Sequence, residues 1–401
     1  MILLHLAAAT AAFDPEAATR AYLATVNGVA RAKSDAYFEG GYWLILWNAL
    51  VSLAIYWAML RFGWSARWSA LATRWSRWVW LRPALYAVIF VTVDYVLTLP
   101  WTIYTDFVRE GQYGLMNQSF GGWFADWAKA LALTIPVAAI AFAGIFRAIR
   151  RSPKRWWLWG GLVSTVFFAL GAAITPVFVA PMFNTYTPMP QGPLRDRILA
   201  MAHANHIPTE NVYVFDASKQ SKRISANVSG LGPTIRISLN DNLLNRADAH
   251  EVAAVMGHEM GHYVLGHVWK GIIFFALLFL AGFAFLKVAS ERLLARYGPR
   301  WGVTDIADPG VTPLLAALAT AFLFVATPVT NSFVRWHESE ADAFGLGAAR
   351  EPDGFARSAL KLAEYRKLEP TPLEEAIFYD HPSGRTRIRM AMDWKAAHPG
   401  Q

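Results

Sequence analysis

The stretch His258-Glu259-Met260-Gly261-His262 places two histidines four residues apart around a glutamate. In an α-helix, residues four apart lie on the same face, so both imidazoles can bind one Zn²⁺ while the glutamate accepts a proton from water. A helix is expected because no proline interrupts Ala247–Lys270 and apolar residues recur at three- and four-residue steps. These residues are Ala249, Val252, Ala253, Met256, Met260, Val264 and Val268. The spacing predicts a hydrolytic metal site on a helix that runs into an apolar segment.

Apolar runs long enough to cross a bilayer lie on both sides of this helix. Of the 401 residues, 55% are hydrophobic and 16% are charged, whereas soluble domains carry about 25% charged residues. A membrane-spanning helix needs roughly 17–25 residues. The runs that meet this length are Tyr42–Leu60, Ala84–Tyr104, Ala128–Phe146, Leu158–Val179, Gly271–Ala289 and Val311–Val334. The predicted fold class is therefore mainly α, a polytopic helical protein whose partner is the lipid bilayer.

Basic residues concentrate in three of the loops between these runs. They are Arg61, Arg67, Arg74, Arg77 and Arg82 after the first run, Arg147, Arg150, Arg151, Lys154 and Arg155 after the third, and Arg292, Arg296 and Arg300 after the fifth. Because loops rich in arginine and lysine stay in the cytoplasm, residues 180–270 and the region after His337 are expected on the non-cytoplasmic face. This distribution accounts for the net charge of +8 without a nucleic-acid partner.

Two domains are predicted, with the boundary after residue 180. Residues 1–180 form an N-terminal membrane domain of about four spans. It starts with the short apolar run Met1–Ala12, which is either the core of a signal peptide or a partly embedded helix. Residues 181–401 form the catalytic domain, which contains two further spans at about 271–289 and 311–334.

The polar part of the catalytic domain is predicted to contain a small β-sheet. Leu194–Asn205 has a helical pattern, and Asn211–Phe215 is a short apolar run typical of a strand. Thr234–Leu239 alternates apolar and polar residues, as a half-exposed strand does. The sheet is expected to lie beside the helix that carries the two histidines.

A third metal ligand is expected where the chain returns to the same face after the sixth run. His337, Glu338 and Glu340 are candidates, and spacing alone does not choose among them. The chain has no cysteine, so thiolate ligands are excluded. Asp342 lies one helical turn beyond Glu338, where it can orient a ligand imidazole. Outside the ligand set, His267 and His337 are interpreted as residues of helix ends or of the membrane interface.

Further segments resemble the type 1 CAAX prenyl proteases, a family of integral-membrane zinc metalloendopeptidases. The matching segments are Pro181–Pro188 (PMFNTYTP), Asn211–Asp216, Ala226–Gly230 (ANVSG), His258–His262 with the trailing Gly266-His267, Glu338-x-x-Ala341-Asp342, and His381-Pro382 with Arg387 six residues after the histidine. The resemblance covers nearly the whole chain and indicates a bacterial-type member, which is expected in the bacterial inner membrane. Several distant elements in the same order are far more specific than the HExxH pattern alone.

The resemblance implies a ligand set and roles for individual residues. It selects Glu338 as the third ligand of one zinc ion per chain, beside His258 and His262. It implies that His381 contributes to substrate or oxyanion stabilisation. It also implies that Asn227 belongs to a substrate-binding edge.

This ligand set predicts hydrolysis of a peptide bond in a polypeptide substrate. Zinc held by three protein ligands leaves one position open for water, and Glu259 is expected to accept the proton of that water and pass it to the leaving amine. His381 or Arg387 can donate a hydrogen bond to the oxyanion. The peptide can add as a strand at the edge that contains Asn227. Glu259 and His381 are thus predicted to be catalytic, and Asn227 and Arg387 to bind substrate.

Three hypotheses about the function follow. The family implies processing of prenylated CAAX proteins at a metal site on the cytosolic side. The loop charges place the site on the opposite face, and Val228 stands where the family usually has an aromatic residue, so quality-control cleavage of unprenylated envelope proteins is the alternative. A non-catalytic transporter or scaffold is the alternative of another class. It is motivated by Asp94 in the second run, which is expected either to line a hydrated chamber or to form a helix–helix hydrogen bond.

Overall fold

The computed structural model describes residues 13–230 and 234–399, so the prediction for Met1–Ala12 lies outside the described residues. Within the described part, six helices are long and apolar enough to cross a membrane. They are α2 (Gly28–Arg61), α4 (Arg82–Thr102), α6 (Phe120–Arg151), α7 (Trp156–Ile174), α11 (His267–Trp301) and α12 (Thr312–Ala349). The predicted fold class, a polytopic helical membrane protein with a small sheet, is confirmed.

Shorter helices connect and flank these six. They are α1 (Pro15–Ala24), α3 (Trp64–Trp75), α5 (Arg109–Gln112), α8 (Pro193–Ala204), α9 (Asp241–Arg246), α10 (Ala249–Val264), α13 (Pro352–Leu362), α14 (Pro372–Phe378) and α15 (Gly384–Ala397). Two of the long helices continue as π-helical segments, α4 through Ile103–Val108 and α7 through Thr175–Val179. The helix predicted at Leu194–Asn205 corresponds to α8.

Helix α7 illustrates how the long helices divide their surface between lipid and protein. Four large apolar side chains recur every four residues on one face and are all exposed: Leu162, Val166, Leu170 and Ile174. On another face, Gly160 and Gly161 pack so tightly on α11 that an added Cβ would come within 2.4 Å of Phe283 and 2.8 Å of Leu280. Close packing at small residues and an apolar outer stripe are typical of helices in a bilayer.

The sheet has four strands in the order β1-β2-β4-β3. They are β1 (Tyr186–Pro188), β2 (Val212–Phe215), β3 (Ala226–Ser229) and β4 (Arg236–Asn240). β2 and β4 are parallel, while the outer strands β1 and β3 are antiparallel to their neighbours. Both predicted strands are present, as β2 and β4. The β4 residues Ile237 and Leu239 belong to one buried cluster with Met256 and Met260 of α10, so the sheet covers this helix.

Helix α10 has clear signals at both ends. The Asp248 side chain accepts hydrogen bonds from the backbone of His250 and Glu251, and the Glu251 side chain accepts one from the Asp248 backbone. The helix ends at Val264, and Gly266 adopts a left-handed conformation with φ +67° before α11 starts at His267. The prediction that this helix runs directly into the fifth span is therefore wrong. A glycine in this conformation, rather than a proline, separates the two helices.

Helices α10 and α12 cross at unusually small residues. A Cβ added to Gly345 would lie 2.6 Å from the backbone nitrogen of His258, and one added to Gly257 would lie 2.8 Å from the backbone oxygen of Gly345. A Cβ added to Gly261 would lie 3.1 Å from the Cα atom of Ala341. Because these contacts are with backbone atoms, side-chain rotation cannot relieve them. The crossing therefore sets how close the side chains of the two helices come.

The substitution Gly345→Ala is expected to force α12 away from α10, with Gly347→Ala as the matched control. An added Cβ at Gly347 meets no atom within 4 Å. An alanine at this position therefore only raises the helix propensity, which stabilises the helix by about 0.5–1 kcal/mol. The same gain applies at Gly345, but overpacking costs about 1–3 kcal/mol. Thermal unfolding in detergent should show a lower Tm for Gly345→Ala than for Gly347→Ala. Equal Tm values would contradict the close crossing.

Candidate metal centre

Three side chains from α10 and α12 converge on one point. The Nε2 atoms of His258 and His262 are 3.1 Å apart, and the Glu338 carboxylate lies 3.2 Å from the first and 3.4 Å from the second. Glu338 is buried, and its Oε2 atom has no hydrogen-bond partner. A buried carboxylate oxygen that faces two imidazole nitrogens is a suitable arrangement for a metal ion, and the three residues form a group able to hold one.

The helix crossing explains why Glu338, and not a neighbour, reaches the histidines. Gly345 allows α12 to contact the backbone of His258, and Glu338 lies about two helical turns before it on α12. His337 and Glu340, the other two candidates, instead form a separate group with His267. The structure therefore brings together the ligand set that the family resemblance implies.

Asp342 contacts the Nδ1 atom of His258, on the other side of the ring from the Nε2 atom that faces Glu338. Its Oδ1 atom lies 2.7 Å from Nδ1 of His258, and its side chain is completely buried. Since a carboxylate accepts, Nδ1 of His258 carries a proton, and a neutral ring then has its Nε2 lone pair available for a metal ion. The predicted orienting contact between Asp342 and a ligand imidazole is present.

Arg387 of α15 contacts the same aspartate. One of its Nη atoms lies 2.5 Å from Oδ1 of Asp342, and the arginine is itself buried. The guanidinium charge is thus paired with Asp342. Its Nε atom is buried without a hydrogen-bond partner.

Glu259 lies between the histidines and faces a cavity. Burial raises the pKa of its carboxyl to about 7. A carboxyl with a pKa near neutrality is suited to both accepting and donating a proton. The predicted general base is therefore placed beside the ligand group with a suitable basicity.

His381 approaches the ligand group from the loop between α14 and α15. Its Nε2 atom lies 3.2 Å from Oε2 of Glu338, and its Nδ1 atom lies 2.8 Å from Asp380. The segment 380–383 that contains it is anchored by Ser383, whose backbone nitrogen donates to Glu375. The structure thus brings His381, 43 positions after Glu338 in the chain, into direct contact with the predicted ligand.

A cavity of about 960 Å³ opens onto this group. His258, Glu259, His381 and Arg387 line one side of it. Further lining comes from the membrane helix α2, from the π-helical segment after α4, from the strand β3 and the residues before it, and from α12. The cavity therefore lies between the catalytic residues and the membrane helices, and it is large enough for part of a polypeptide.

The side chain of Asn227 does not line this cavity. It lies in a separate cavity of about 600 Å³, next to Tyr186 and Arg236. Its neighbours Ala226 and Val228 pack in the cluster around α10, because successive residues of a strand point to opposite faces. The structure therefore places the Asn227 side chain on the face of β3 that points away from the metal group.

Asp94 lies beside Tyr56 of α2, and one of its carboxylate oxygens is buried without a hydrogen-bond partner. It lines a cavity of about 420 Å³ together with Asp106, which also lines the main cavity. Neither of the two expectations for Asp94 is decided by these contacts.

His267 and His337 are both buried, at 8% and 5% exposed. His267 is the first residue of α11, as expected for a helix end, but its Nδ1 atom lies 2.9 Å from Nδ1 of His262. The glycine before it was the available signal, because a helix break at Gly266 redirects the next residue.

Comparison with known proteins agrees with this geometry. The family model of peptidase family M48 matches residues 188–395, and that of the CAAX prenyl protease N-terminal region, five membrane helices, matches residues 22–185. The structure resembles the crystal structure of Ste24p from S. mikatae, with a TM-score of 0.75, 21% identity and 94% of each chain covered.

Curated relatives are similar over most of their length. The uncharacterized metalloprotease YhfN of Bacillus subtilis (strain 168) is 28% identical over 77% of this chain and 72% of its own. CAAX prenyl protease 1 of Saccharomyces cerevisiae is 28% identical over 75% of this chain and 69% of its own. The CAAX prenyl protease 1 homolog of Homo sapiens is 28% identical over 67% of this chain and 65% of its own. This chain belongs to peptidase family M48 and is a membrane metalloprotease of the CAAX prenyl protease group.

Proposed function

We propose that this membrane metalloprotease is a zinc metalloendopeptidase with one Zn²⁺ bound by His258, His262 and Glu338. The observation that carries this proposal is the spacing of the possible ligand atoms. The two Nε2 atoms are 3.1 Å apart, Oε2 of Glu338 lies 3.2 Å from Nε2 of His258, and Oε1 lies 3.4 Å from Nε2 of His262. Around a tetrahedral zinc with bonds of about 2.0–2.1 Å, ligand atoms lie about 3.3–3.4 Å apart. Two imidazoles and one carboxylate are also the ligand set of known catalytic zinc sites, which keep one position for water.

Glu259 acts as the general base in this proposal. When bound, zinc lowers the pKa of a water molecule and polarises the scissile carbonyl. The Glu259 carboxylate accepts the proton of the attacking water and returns it to the nitrogen of the leaving amine. Burial raises the pKa of this carboxyl, which favours its holding the proton between the two transfers.

His381 is the proposed donor to the developing oxyanion. Its Nε2 atom lies next to Glu338 and its Nδ1 atom next to Asp380, so the ring is fixed at the edge of the ligand group. Arg387 is the other predicted donor, but its guanidinium group is paired with Asp342. We therefore assign Arg387 to positioning, since it fixes the aspartate that in turn orients His258.

The substrate chain is proposed to lie along β3 inside the main cavity. β3 is an edge strand of the sheet, and the backbone N–H of Asn240 donates to the Ser225 carbonyl. Hydrogen-bonded and non-hydrogen-bonded pairs alternate along antiparallel strands. The pairs Asn227–Ser238 and Ser229–Arg236 are therefore the hydrogen-bonded ones. The backbone groups of Ala226 and Val228 then face outward, where an added strand can pair with them. In this arrangement the segment around Asn227 binds substrate through its backbone.

The substrate class is proposed to be a membrane-associated or prenylated polypeptide. The cavity wall opposite the metal group contains Phe38, Ile45 and Phe378, and α2 brings two of these from a membrane-spanning helix. An apolar wall next to a peptide-binding edge suits a chain that carries a lipid group or an apolar segment. The curated relatives named CAAX prenyl protease 1 support the first of these.

The active site is proposed to face the non-cytoplasmic side of a bacterial inner membrane. α11 starts at the metal group with His267, and the arginines at positions 292, 296 and 300 lie near its other end. Because successive spans cross the membrane in opposite directions, the other arginine-rich loops also lie at the end opposite to the site. Such loops remain in the cytoplasm. This orientation favours cleavage of unprenylated envelope proteins as the second candidate function.

A topology reporter fused to the C-terminus tests this orientation. A reporter that is active only outside the cytoplasm should give a signal. A signal from a reporter that is active only in the cytoplasm would reverse the assignment.

The variant Glu259→Gln is expected to bind zinc normally and to lose activity. The amide keeps the shape of the side chain but cannot accept the proton, and a general base contributes about 10²–10⁴-fold in rate. Zinc content and cleavage should be measured on the same detergent-purified samples, with chelator-treated wild type as the inactive reference. A Glu259→Gln variant that retains zinc and cleaves at the wild-type rate would disprove the mechanism.

The two candidate substrate classes are separated by one competition assay. A prenylated CAAX peptide, the same peptide without the prenyl group, and an unfolded unprenylated chain are offered to the zinc-loaded protein. If the apolar wall binds a lipid group, kcat/KM should be highest for the prenylated peptide and fall for its unprenylated twin. A preference for the unfolded chain would instead support the envelope function and leave the zinc chemistry unchanged.

A further inference from the structure

A second chain of hydrogen bonds continues from the metal group on the side of His262. Nδ1 of His262 lies 2.9 Å from Nδ1 of His267, and Nε2 of His267 lies 3.1 Å from Oε2 of Glu340. The same carboxylate oxygen accepts a hydrogen bond of 2.8 Å from Nζ of Lys270. His267 is 8% exposed, whereas the side chains of Glu340 and Lys270 at the far end of the chain are 30% and 38% exposed.

The direction of these bonds follows from the predicted ligand role of His262. Only one proton fits between two nitrogens 2.9 Å apart. If His262 uses its Nε2 lone pair for a metal, its remaining proton is on Nδ1, and Nδ1 of His267 must accept it. The proton of His267 is then on Nε2, where it faces the Glu340 carboxylate. Each atom of the chain thus has one consistent donor or acceptor role.

We propose that His267 and Glu340 are positioning residues that orient His262, as Asp342 orients His258. The proposal rests on the zinc site of the proposed function. A metal-bound imidazole donates its other N–H to a partner that fixes the ring, and such partners raise the basicity of the ligand. His258 donates directly to the Asp342 carboxylate, whereas His262 is connected to the Glu340 carboxylate through the ring of His267.

The break between α10 and α11 makes this contact possible. Residues five apart on one continuous helix do not lie on the same face, so His267 could not reach His262 there. The left-handed Gly266, with φ +67°, starts a new helix and brings His267 back to the ring. The turn at Gly266 is thus part of the metal site.

A second cation site on the same residues is the competing interpretation. His267, His337 and Glu340 offer ligand atoms within 4.8 Å of one another. His337 has a free Nε2 lone pair, because its Nδ1 donates to the carbonyl of Phe333 at 2.8 Å and Nε2 has no hydrogen-bond partner.

Two contacts favour the hydrogen-bonded chain over a second cation. A metal would need the Nε2 lone pair of His267, which would move its proton to Nδ1 and place it against the Nδ1 proton of His262. In addition, the Lys270 ammonium group already binds Oε2 of Glu340, and a cation at this place would be repelled by it. The lysine supplies the positive charge that balances the carboxylate.

The test compares His267→Phe with His267→Asn in the full-length protein. Phenylalanine removes the acceptor, whereas the asparagine Oδ1 atom can still accept from Nδ1 of His262. Zn²⁺ affinity is measured by competition with a chromophoric chelator, and the ligand field is followed by the visible spectrum after Co²⁺ substitution. We expect a roughly 10- to 100-fold weaker affinity and an altered spectrum for His267→Phe, with substantial recovery in His267→Asn.

Controls separate this effect from general destabilisation. His250→Phe makes the same change on α10 at an exposed histidine that contacts Glu351, and it should leave the affinity unchanged. Glu340→Gln keeps an acceptor but removes the charge, so its loss should be smaller than that of His267→Phe. Thermal unfolding in excess chelator compares the folding of all variants without metal.

The outcomes are distinct. A wild-type protein that binds one zinc, with the same affinity in His267→Phe, would overturn the positioning role and leave the proposed function intact. Two zinc ions per chain, with one lost in His337→Phe, would establish the second cation site instead. A wild-type protein that binds no zinc would overturn the proposed function and this proposal together.

Discussion

The close crossing of α10 and α12 is the constraint on which the catalytic arrangement depends. Gly257, Gly261 and Gly345 let the two backbones meet, with an added Cβ at Gly345 only 2.6 Å from the His258 backbone. The HExxH helix supplies two of the proposed ligands, and the membrane-spanning helix α12 supplies the third, Glu338. Because backbone contacts fix the crossing, Glu338 reaches both imidazoles without any flexible loop. The site is therefore as rigid as the packing of these two helices.

His258 and His262 have different surroundings. His258 is buried and contacts the fully buried Asp342, whose charge Arg387 balances. His262 is more exposed and contacts His267, which leads to Glu340 and Lys270. In both cases a carboxylate is paired with a cation, Asp342 with Arg387 and Glu340 with Lys270. The C-terminal helix α15 thereby places a charge next to the proposed metal centre, although it lies far from the HExxH motif in the sequence.

The membrane architecture and the shared face of His258 and His262 could be predicted because each depends on a strong periodic signal, whereas Glu338 was chosen by the family resemblance and not by its spacing. Apolar runs define the six long helices, and the four-residue spacing defines the face of α10. The helix break at Gly266 could not be found by looking for proline, because a single left-handed glycine makes it. The contact between His262 and His267 was missed for the same reason, since it exists only after the break. Strand β1 has three residues and ends at Pro188, so only its pairing with β2 makes it a strand. The face of Asn227 depends on strand register, which short strands specify weakly in the sequence.

The central claim is that one zinc ion is held by two imidazoles of α10 and one carboxylate of α12. X-ray absorption at the zinc edge, together with metal content per chain, tests it most directly. The account predicts one zinc per chain with two imidazole nitrogens and carboxylate oxygen at about 2.0–2.2 Å, and loss of the carboxylate shell in Glu338→Gln. A shell with three imidazoles would show that His381 rather than Glu338 is the third ligand. That result, or a protein that retains no zinc, would contradict the account.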